Sequence, residues 1–330
     1  GEGEGEAAAV AEKQAAKAKR QVPEEEREDG DYGILTVSTA DTEDTIVDRI
    51  AADLLQRLPE QLDMDTALEG LFEPLESGLI HSLAVVLKQE VQRFNNLLSV
   101  LKSSLADLRS GIKGLVVMSA QLESVFRACF IGQVPDMWTA AAYPSLKPLS
   151  SWFADLILRV EFMRSWLQKG RPESYWLSGF FFPQGFITGV LQTYARSHSV
   201  PIDVLAFRFM FTHKTEPEDL TPDECVSEGV LIHGLYLDGA YFDPDRMQLV
   251  QARQRMLFPR LPIVHFLPVP NWERDDSDYE APLYKTSFRA GVLSTTGRST
   301  NHIMPVDIPT AQDPSFFTKQ GTALLCQLDT

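Results

Sequence analysis

Reactive side chains occur throughout this sequence, but their spacing has to be tested before any is given chemical work. His233 and His265 lie in strand-like runs and could meet beside Asp238 or Asp243 as the acid–base pair of an enzyme; the alternative is two core histidines with their hydrogen bonds satisfied. The other histidines, at 81, 198, 213 and 302, fall in separate elements. Residues 293–300, LSTTGRST, could form an anion-binding nest with Arg298 or a plain hairpin. Trp152, Trp166, Trp176, Phe180, Phe181 and Phe182 could line an aromatic pocket, and at their spacing they also read as core. Cys129, Cys225 and Cys326 are far apart with no C-x-x-C pair, so neither a zinc site nor a disulfide framework is expected, and a reducing compartment is the simplest setting.

Phosphate chemistry finds no support. A phosphate loop needs G-x-x-x-x-G-K-[ST], and the dipeptide Gly-Lys does not occur. Gly1, Gly3 and Gly5 mimic a dinucleotide fingerprint only superficially, because no strand precedes them. H-E-x-x-H, EF-hand and G-x-S-x-G patterns are absent. No catalytic, cofactor-binding or metal-ligating residue is therefore assigned.

What must position these side chains turns on residues 174–195, which hold 22 residues without a charge. A membrane-spanning helix needs about 20 apolar residues. Pro183, three glycines, two glutamines and two threonines argue against insertion and split the stretch. Residues 175–182 read as a buried extended segment, and Pro183 opens a helix carrying Phe186, Ile187, Val190, Leu191 and Tyr194 on one face. Trp152, Trp166, Trp176, Phe180, Phe181, Phe182 and Pro183 are the expected structural or interface residues.

Upstream, the pattern is helical. Residues 45–58 carry Ile46, Ile50, Leu54 and Leu58 ahead of Pro59. From Leu83 a seam of Leu87, Phe94, Leu97, Leu101, Leu105, Leu108 and Ile112 steps by threes and fours, with Glu90 its one charged exception. That seam serves either a coiled-coil dimer or intramolecular packing. Ser119 caps a further helix through Cys129, and Ser150 or Ser151 caps the helix carrying Trp152 and Trp166. Beyond Pro201 the period becomes two: Leu205, Phe207, Phe209 and Phe211 alternate. Asp238-Gly239 signals a hairpin between 230–237 and 240–242, and short strands are expected at 263–267, 283–287, 292–296, 302–306 and 322–328. The expected fold is α+β, a helical bundle of about six helices followed by a small antiparallel sheet or barrel.

The formal charge is −16, and residues 1–79 hold 21 acids against 7 bases, so nearly all of the excess is at the front. No basic stripe exists for nucleic acid, and no membrane partner is expected. Residues 1–32 read as an acidic disordered linker, with a transient helix at 7–20, or as a tether for a basic partner. The abrupt opening, without Met or an apolar leader, suggests a segment of a longer chain.

Several long motifs in order now carry a resemblance: LKQEVQRFNNLLSVLKSSLADLRSGIKGLVVMS, YPSLKPLSSWFADLILRVEFMRSWL, YWLSGFFFPQGFITGVLQTYAR with VPIDVLAF, GLYLDGAYFD, PLYKTSFRAGVLSTTGRSTN and ALLCQL. They resemble the C-terminal region of dynein heavy chains over residues 45–328, and STTGRSTN with ALLCQL is similar to the axonemal members. Residues 1–32 depart from the pattern, as a variable insertion near the end of the sixth AAA+ module. The resemblance implies 33–79 as the end of that module or a lead-in helix, 80–200 as a helical bundle and 201–330 as a β-rich cap. It further implies a non-catalytic segment packed on the AAA+ ring of a parent polypeptide that binds ATP and Mg²⁺ and moves toward microtubule minus ends. Implied partners are the rest of the heavy chain, microtubules through that polypeptide, and dynein intermediate and light chains, in the cytoskeleton of cilia and flagella. The competing expectation is a free-standing interaction module that takes a partner on the 83–112 seam or the Phe180 cluster.

Overall fold

In the computed structural model, which describes residues 42–330 except 76, 291, 292 and 294–298, the first helix is α1 (Glu43–Arg57). Thr42 caps it by accepting the Thr45 N–H, and Val47, Ala51 and Leu54 are its buried stripe. The stripe packs on α2 (Ser82–Ile112), 31 residues long, whose first turn is capped by the Nδ1 of His81 accepting the Leu83 N–H at 3.3 Å. Leu87, Phe94, Leu97, Leu101, Leu105 and Leu108 are fully buried, so the seam is consumed inside the protein rather than held open for a coiled-coil partner.

Ser119 caps α3 (Ala120–Phe130), which ends at Gly132. A single turn, α4 (Asp136–Thr139), buries Trp138, whose indole N–H donates to Ser104 of α2 at 2.8 Å. Helix α5 (Leu149–Lys169) starts directly after Pro148 with no side-chain cap, ahead of the serines expected to start it. The uncharged stretch divides into strand β1 (Tyr175–Trp176), a turn at 177–179 and helix α6 (Pro183–His198). Pro183 occupies the first turn, where its missing N–H has no partner to lose.

The remainder is mostly strand: β2 (Leu205–Phe211), β3 (Val230–His233), β4 (Tyr236–Asp238), β5 (Ala240–Asp243), β6 (Gln248–Gln251), β7 (Val264–Pro270), β8 (Tyr279–Tyr284) and β9 (His302–Ile308). Helix α7 (Pro314–Gln320) and strand β10 (Ala323–Leu325) follow. The class is α+β, as expected. The expected barrel is not formed: the described strands make sheets ordered β1-β3-β7-β2, β4-β10-β8-β9 and β5-β6, none of them closed. Nor are they purely antiparallel, because β1 pairs with β3 and β10 with β8 in parallel. Both parallel pairings follow from distant insertion. Strand β1 is supplied from before α6, and β10, the last strand, enters between β4 and β8.

Asp238-Gly239 also departs from expectation. Strands β4 and β5 flank it but belong to different sheets, so the dipeptide turns a corner between sheets instead of closing a hairpin. Gly239 has the anticipated positive φ of 78°, and its carbonyl accepts from Thr322 beside β10. The hairpin forms one strand later, between β5 and β6, where Asp243 faces Gln248. Residues 1–32, the helix at 7–20, most of the strand at 292–296 and the Arg298 nest lie outside the described residues.

A single hydrophobic core runs from Val47 of α1 to Cys326 beyond β10. Two glycines with left-handed φ test how tightly the sheet closes on it. A Cβ on Gly229 (φ +69°) would collide with the Phe266 carbonyl of β7, whereas one on Gly78 (φ +74°) would meet nothing within 4 Å. In urea unfolding, Gly229→Ala should cost more than about 2 kcal/mol and Gly78→Ala only about 1 kcal/mol.

Candidate functional site

A guanidinium sits in the middle of the core. Arg159 of α5 is 2% exposed, and its Nε donates to Asp155 at 2.6 Å, one turn earlier on the same helix. One terminal nitrogen donates to the Ser178 carbonyl; the other reaches the Ser178 hydroxyl at 3.0 Å and Oε1 of Gln327 at 3.1 Å. Gln327 in turn donates to the Pro144 carbonyl at 2.6 Å, and Lys147 approaches Asp155 at 3.4 Å. The Tyr143 ring lies under the guanidinium, 3.7 Å from its centre. A charge this dry is tolerable only when nearly every N–H is met, and here one residue ties α5, the turn before α6 and the C-terminal end to each other.

A second buried charge holds the other side of that turn. Glu90 of α2, 1% exposed, accepts the Phe181 N–H at 2.6 Å through one oxygen; the other accepts the Phe182 N–H at 3.2 Å and Arg93 at 2.8 Å. Burial pushes its carboxyl above the usual range, while the two amides and Arg93 pull it back. Phe182 is the cap residue of α6 and offers no capping side chain, so Glu90 supplies the negative charge at that helix start from another helix.

The expected aromatic residues gather around these two ties. Trp152 stacks near Trp138 and Tyr143, each at 6.1 Å. Phe181 makes edge contacts with Phe94 at 4.6 Å and Tyr143 at 5.5 Å. Trp166 packs on Tyr175 and Phe180, and Phe180 stacks on Phe186 at 4.3 Å. Trp176 meets Phe162 edge-on, and Phe162 also touches Phe180. Pro183 is buried. Phe182 alone of this set turns outward, 46% exposed, between Arg93 at 5.6 Å and Lys285 at 5.8 Å. The cluster is filled by its own rings, so neither it nor the α2 seam stands open as the free-standing module would require.

Sequence reasoning did not find Arg159, Asp155, Tyr143 or Gln327, and met Glu90 only as an exception. The available signal was an acid and a base four residues apart, inside a helix whose neighbours on both sides are apolar.

His233 and His265, which could have met beside Asp238 or Asp243, each take a different partner. His233 shares a hydrogen bond with Ser174 at 2.8 Å, and His265 with the Glu228 carbonyl at 2.8 Å, while Asp238 is held by Arg289 and Asp243 by Arg246 and the Asp245 N–H. Both rings are half-buried, each with a hydrogen-bond partner of its own. Cys129 and Cys326 are buried, and burial pushes each thiol up to about 12; Cys225 is exposed. Among the described residues no group of three or more His, Cys, Asp or Glu could hold a metal ion, and no helix is long and apolar enough to cross a membrane.

Two outcomes follow. Arg159→Met leaves Asp155 in the core with only the longer 3.4 Å contact to Lys147 and should cost about 3–5 kcal/mol in chemical denaturation, most of it recovered when Asp155→Leu is added. Burial lowers His233 to about 4 from its ordinary value of 6.5, so the folded state binds fewer protons across that window. Its contribution is complete above about pH 6.5 and is lost as pH falls toward 4. Taking the protein from pH 7 to 5 should remove about 2 kcal/mol through this group, and His233→Asn should abolish that part of the loss. Asp307, raised by burial to about 6, acts in the opposite sense: its contribution is present at low pH and lost as pH rises toward 6.

A family profile of the C-terminal domain of the dynein heavy chain matches residues 12–326, beginning well ahead of the motifs that carry the resemblance. Human dynein axonemal heavy chain 6 is 43% identical over 302 residues, covering 86% of this sequence and 7% of its own length. Human axonemal heavy chain 1 is 43% identical over 288 residues (86% and 6%), and human axonemal heavy chain 12 is 42% identical over 287 (87% and 9%). The 330 residues thus span less than a tenth of the length of these relatives. With its ordered motifs, its α+β architecture and these matches, the protein belongs to the family of C-terminal domains of dynein heavy chains, on the side of the axonemal members.

Proposed function

We propose that this segment is a non-catalytic brace of an axonemal dynein motor, packing on the AAA+ ring and modulating how ATP-driven, minus-end-directed motion develops force in cilia and flagella. In this reading 33–79 close the last AAA+ module, 80–200 form the helical part of the brace and 201–330 its β cap. ATP and Mg²⁺ are handled elsewhere in the parent polypeptide, as are microtubules and the intermediate and light chains. The supporting observation is the Arg159 tie, which joins α5 to Gln327, 168 positions away, through a buried guanidinium whose N–H groups are costly to leave unmet. A segment built this way suits load-bearing better than turnover.

The test uses the full-length heavy chain with and without this segment, and a version with Arg159→Met. The expected result is retained basal ATP turnover with altered stall force or microtubule-gliding velocity in both altered proteins. ATP hydrolysis by the purified segment alone, or unchanged force and velocity after its removal, would sink the reading.

A further inference from the structure

Beside the amino end of α2, a cleft of about 250 Å³ opens between that helix, the last turns of α6 and the residues leading into β3. Water takes about 30 Å³ per molecule, so the space holds on the order of eight non-hydrogen atoms. That is below the roughly 300–1,000 Å³ of a drug-sized site, which restricts any occupant to a small molecule. Leu83 of α2 and Val190 of α6, both buried, are its apolar lining, and the stacked rings of Tyr194 and His198, 4.0 Å apart, add a flat wall.

The polar part of the lining is fixed in advance. Gly229 takes a left-handed φ of +69° ahead of β3, and its carbonyl accepts from Arg171 at 2.6 Å. Glu228, the residue before it, is tied twice: its carbonyl to His265 at 2.8 Å and its carboxylate to His198 at 2.8 Å. Walls already held in this way lose little entropy when a ligand enters. Arg171 spends one terminal nitrogen on the Gly229 carbonyl, which leaves the other N–H groups of its planar fork for an incoming oxyanion. Glu228 is the one acid lining the cleft, and His198 already opposes it. Arg196 stands nearby, donating to the Ile80 carbonyl at 3.3 Å, and together with burial and Arg171 it holds the His81 ring below its ordinary pKa. The local balance of charge favours an anion.

Two polar atoms close by have nothing to bond among the described residues. The Tyr175 hydroxyl is fully buried and unpartnered, and it lies near enough to Arg171 for that charge to oppose the upward push of burial on its pKa. The hydroxyl of Ser82, next to Leu83 at the start of α2, is likewise buried and unpartnered. Such groups left unmet cost about 1–3 kcal/mol each, so the corner around Arg171 gains from an oxygen acceptor.

We infer that this cleft binds a small aliphatic monocarboxylate, with its carboxylate on the Arg171 fork and its hydrocarbon end against Leu83 and Val190. A guanidinium pairs with a carboxylate through two parallel N–H···O bonds. The charge count selects a monoanion over phosphate. Arg171 is the one unopposed cation lining the cleft, and the second charge of a phosphate would be repelled by the Glu228 carboxylate. The apolar lining selects a hydrocarbon end over a hydroxylated one, which would be desolvated there without partners. The site is independent of the brace reading, because every group it uses belongs to this segment.

The experiment irradiates the full-length heavy chain with 4,4-azipentanoate, a short carboxylate carrying a photo-reactive diazirine, and maps the labelled residues by mass spectrometry. The expected result is labelling concentrated within 190–198 and 227–230, competed by butyrate and not by n-butanol at the same concentration. Arg171→Gln should weaken that labelling about tenfold, the loss of one charged hydrogen-bonded contact, while Arg171→Lys keeps part of it. Competition on the unaltered protein decides the matter should either variant fail to fold. No excess of label at these residues, equal competition by n-butanol or by inorganic phosphate, or undiminished labelling of a folded Arg171→Gln protein overturns the inference.

Discussion

The desolvated guanidinium of Arg159 is the constraint around which the rest of the structure is arranged. Moving a charge from water into a core costs several kcal/mol even after relaxation, so every element near it must deliver a polar atom at hydrogen-bond distance. Asp155 comes from the same helix, Ser178 from the turn before α6, and Gln327 from just beyond β10. A hydrophobic replacement of similar volume would satisfy the core as well or better in energy. What the charge adds is uniqueness: a slip of β10 by one residue would withdraw Gln327 and leave a donor unmet, which apolar contacts alone would not forbid.

Glu90 solves a matching problem at the opposite side of the same turn. The stretch before Pro183 is uncharged and offers no capping side chain, yet Pro183, the first residue of α6, is buried. A carboxylate reaching from α2 accepts the Phe181 and Phe182 amides and complements the positive end of the α6 dipole. This fixes where α6 begins relative to α2, and close packing fixes the crossing, since a Cβ at Gly189 of α6 would come within 2.9 Å of Val86 in α2. The raised carboxyl of Glu90 is therefore the consequence of using a buried acid as a cap in trans.

What the residues disclosed in advance was local. The 3.6 period of α2, the Ser119 cap, the proline opening α6 and the alternation in β2 are each written within a few positions and survive folding unchanged. Helix α7 is equally local in its signals, although the strand pattern around it hides them: Asp313 caps it, Pro314 takes its first turn and Gly321 stops it at φ 68°. The misreadings are of another kind. Gly239 has the conformation its type suggests, but whether a left-handed glycine closes a hairpin or turns a corner depends on the strands that claim its neighbours. Those claimants are β10 and β6, one of them more than 80 residues away. Sheet order, parallel pairing and failure to close into a barrel are likewise set by partners far off in sequence, which periodicity does not encode. The buried charges were hidden for the opposite reason: Glu90, Asp155 and Arg159 are ordinary helix-surface types whose meaning comes only from what packs over them.

These ties also decide how the segment can deform. Separating the turn at 177–182 from α5 would leave guanidinium N–H groups unmet, and separating it from α2 would leave the Glu90 carboxylate with Arg93 alone, so both openings are opposed by lost charged hydrogen bonds as well as by lost aromatic packing. Close-packed interiors shift between discrete arrangements rather than stretching, and the buried ties add a polar cost to any such shift. Away from these ties the packing is thinner: α3 buries only Val125 and Cys129 of its eleven residues.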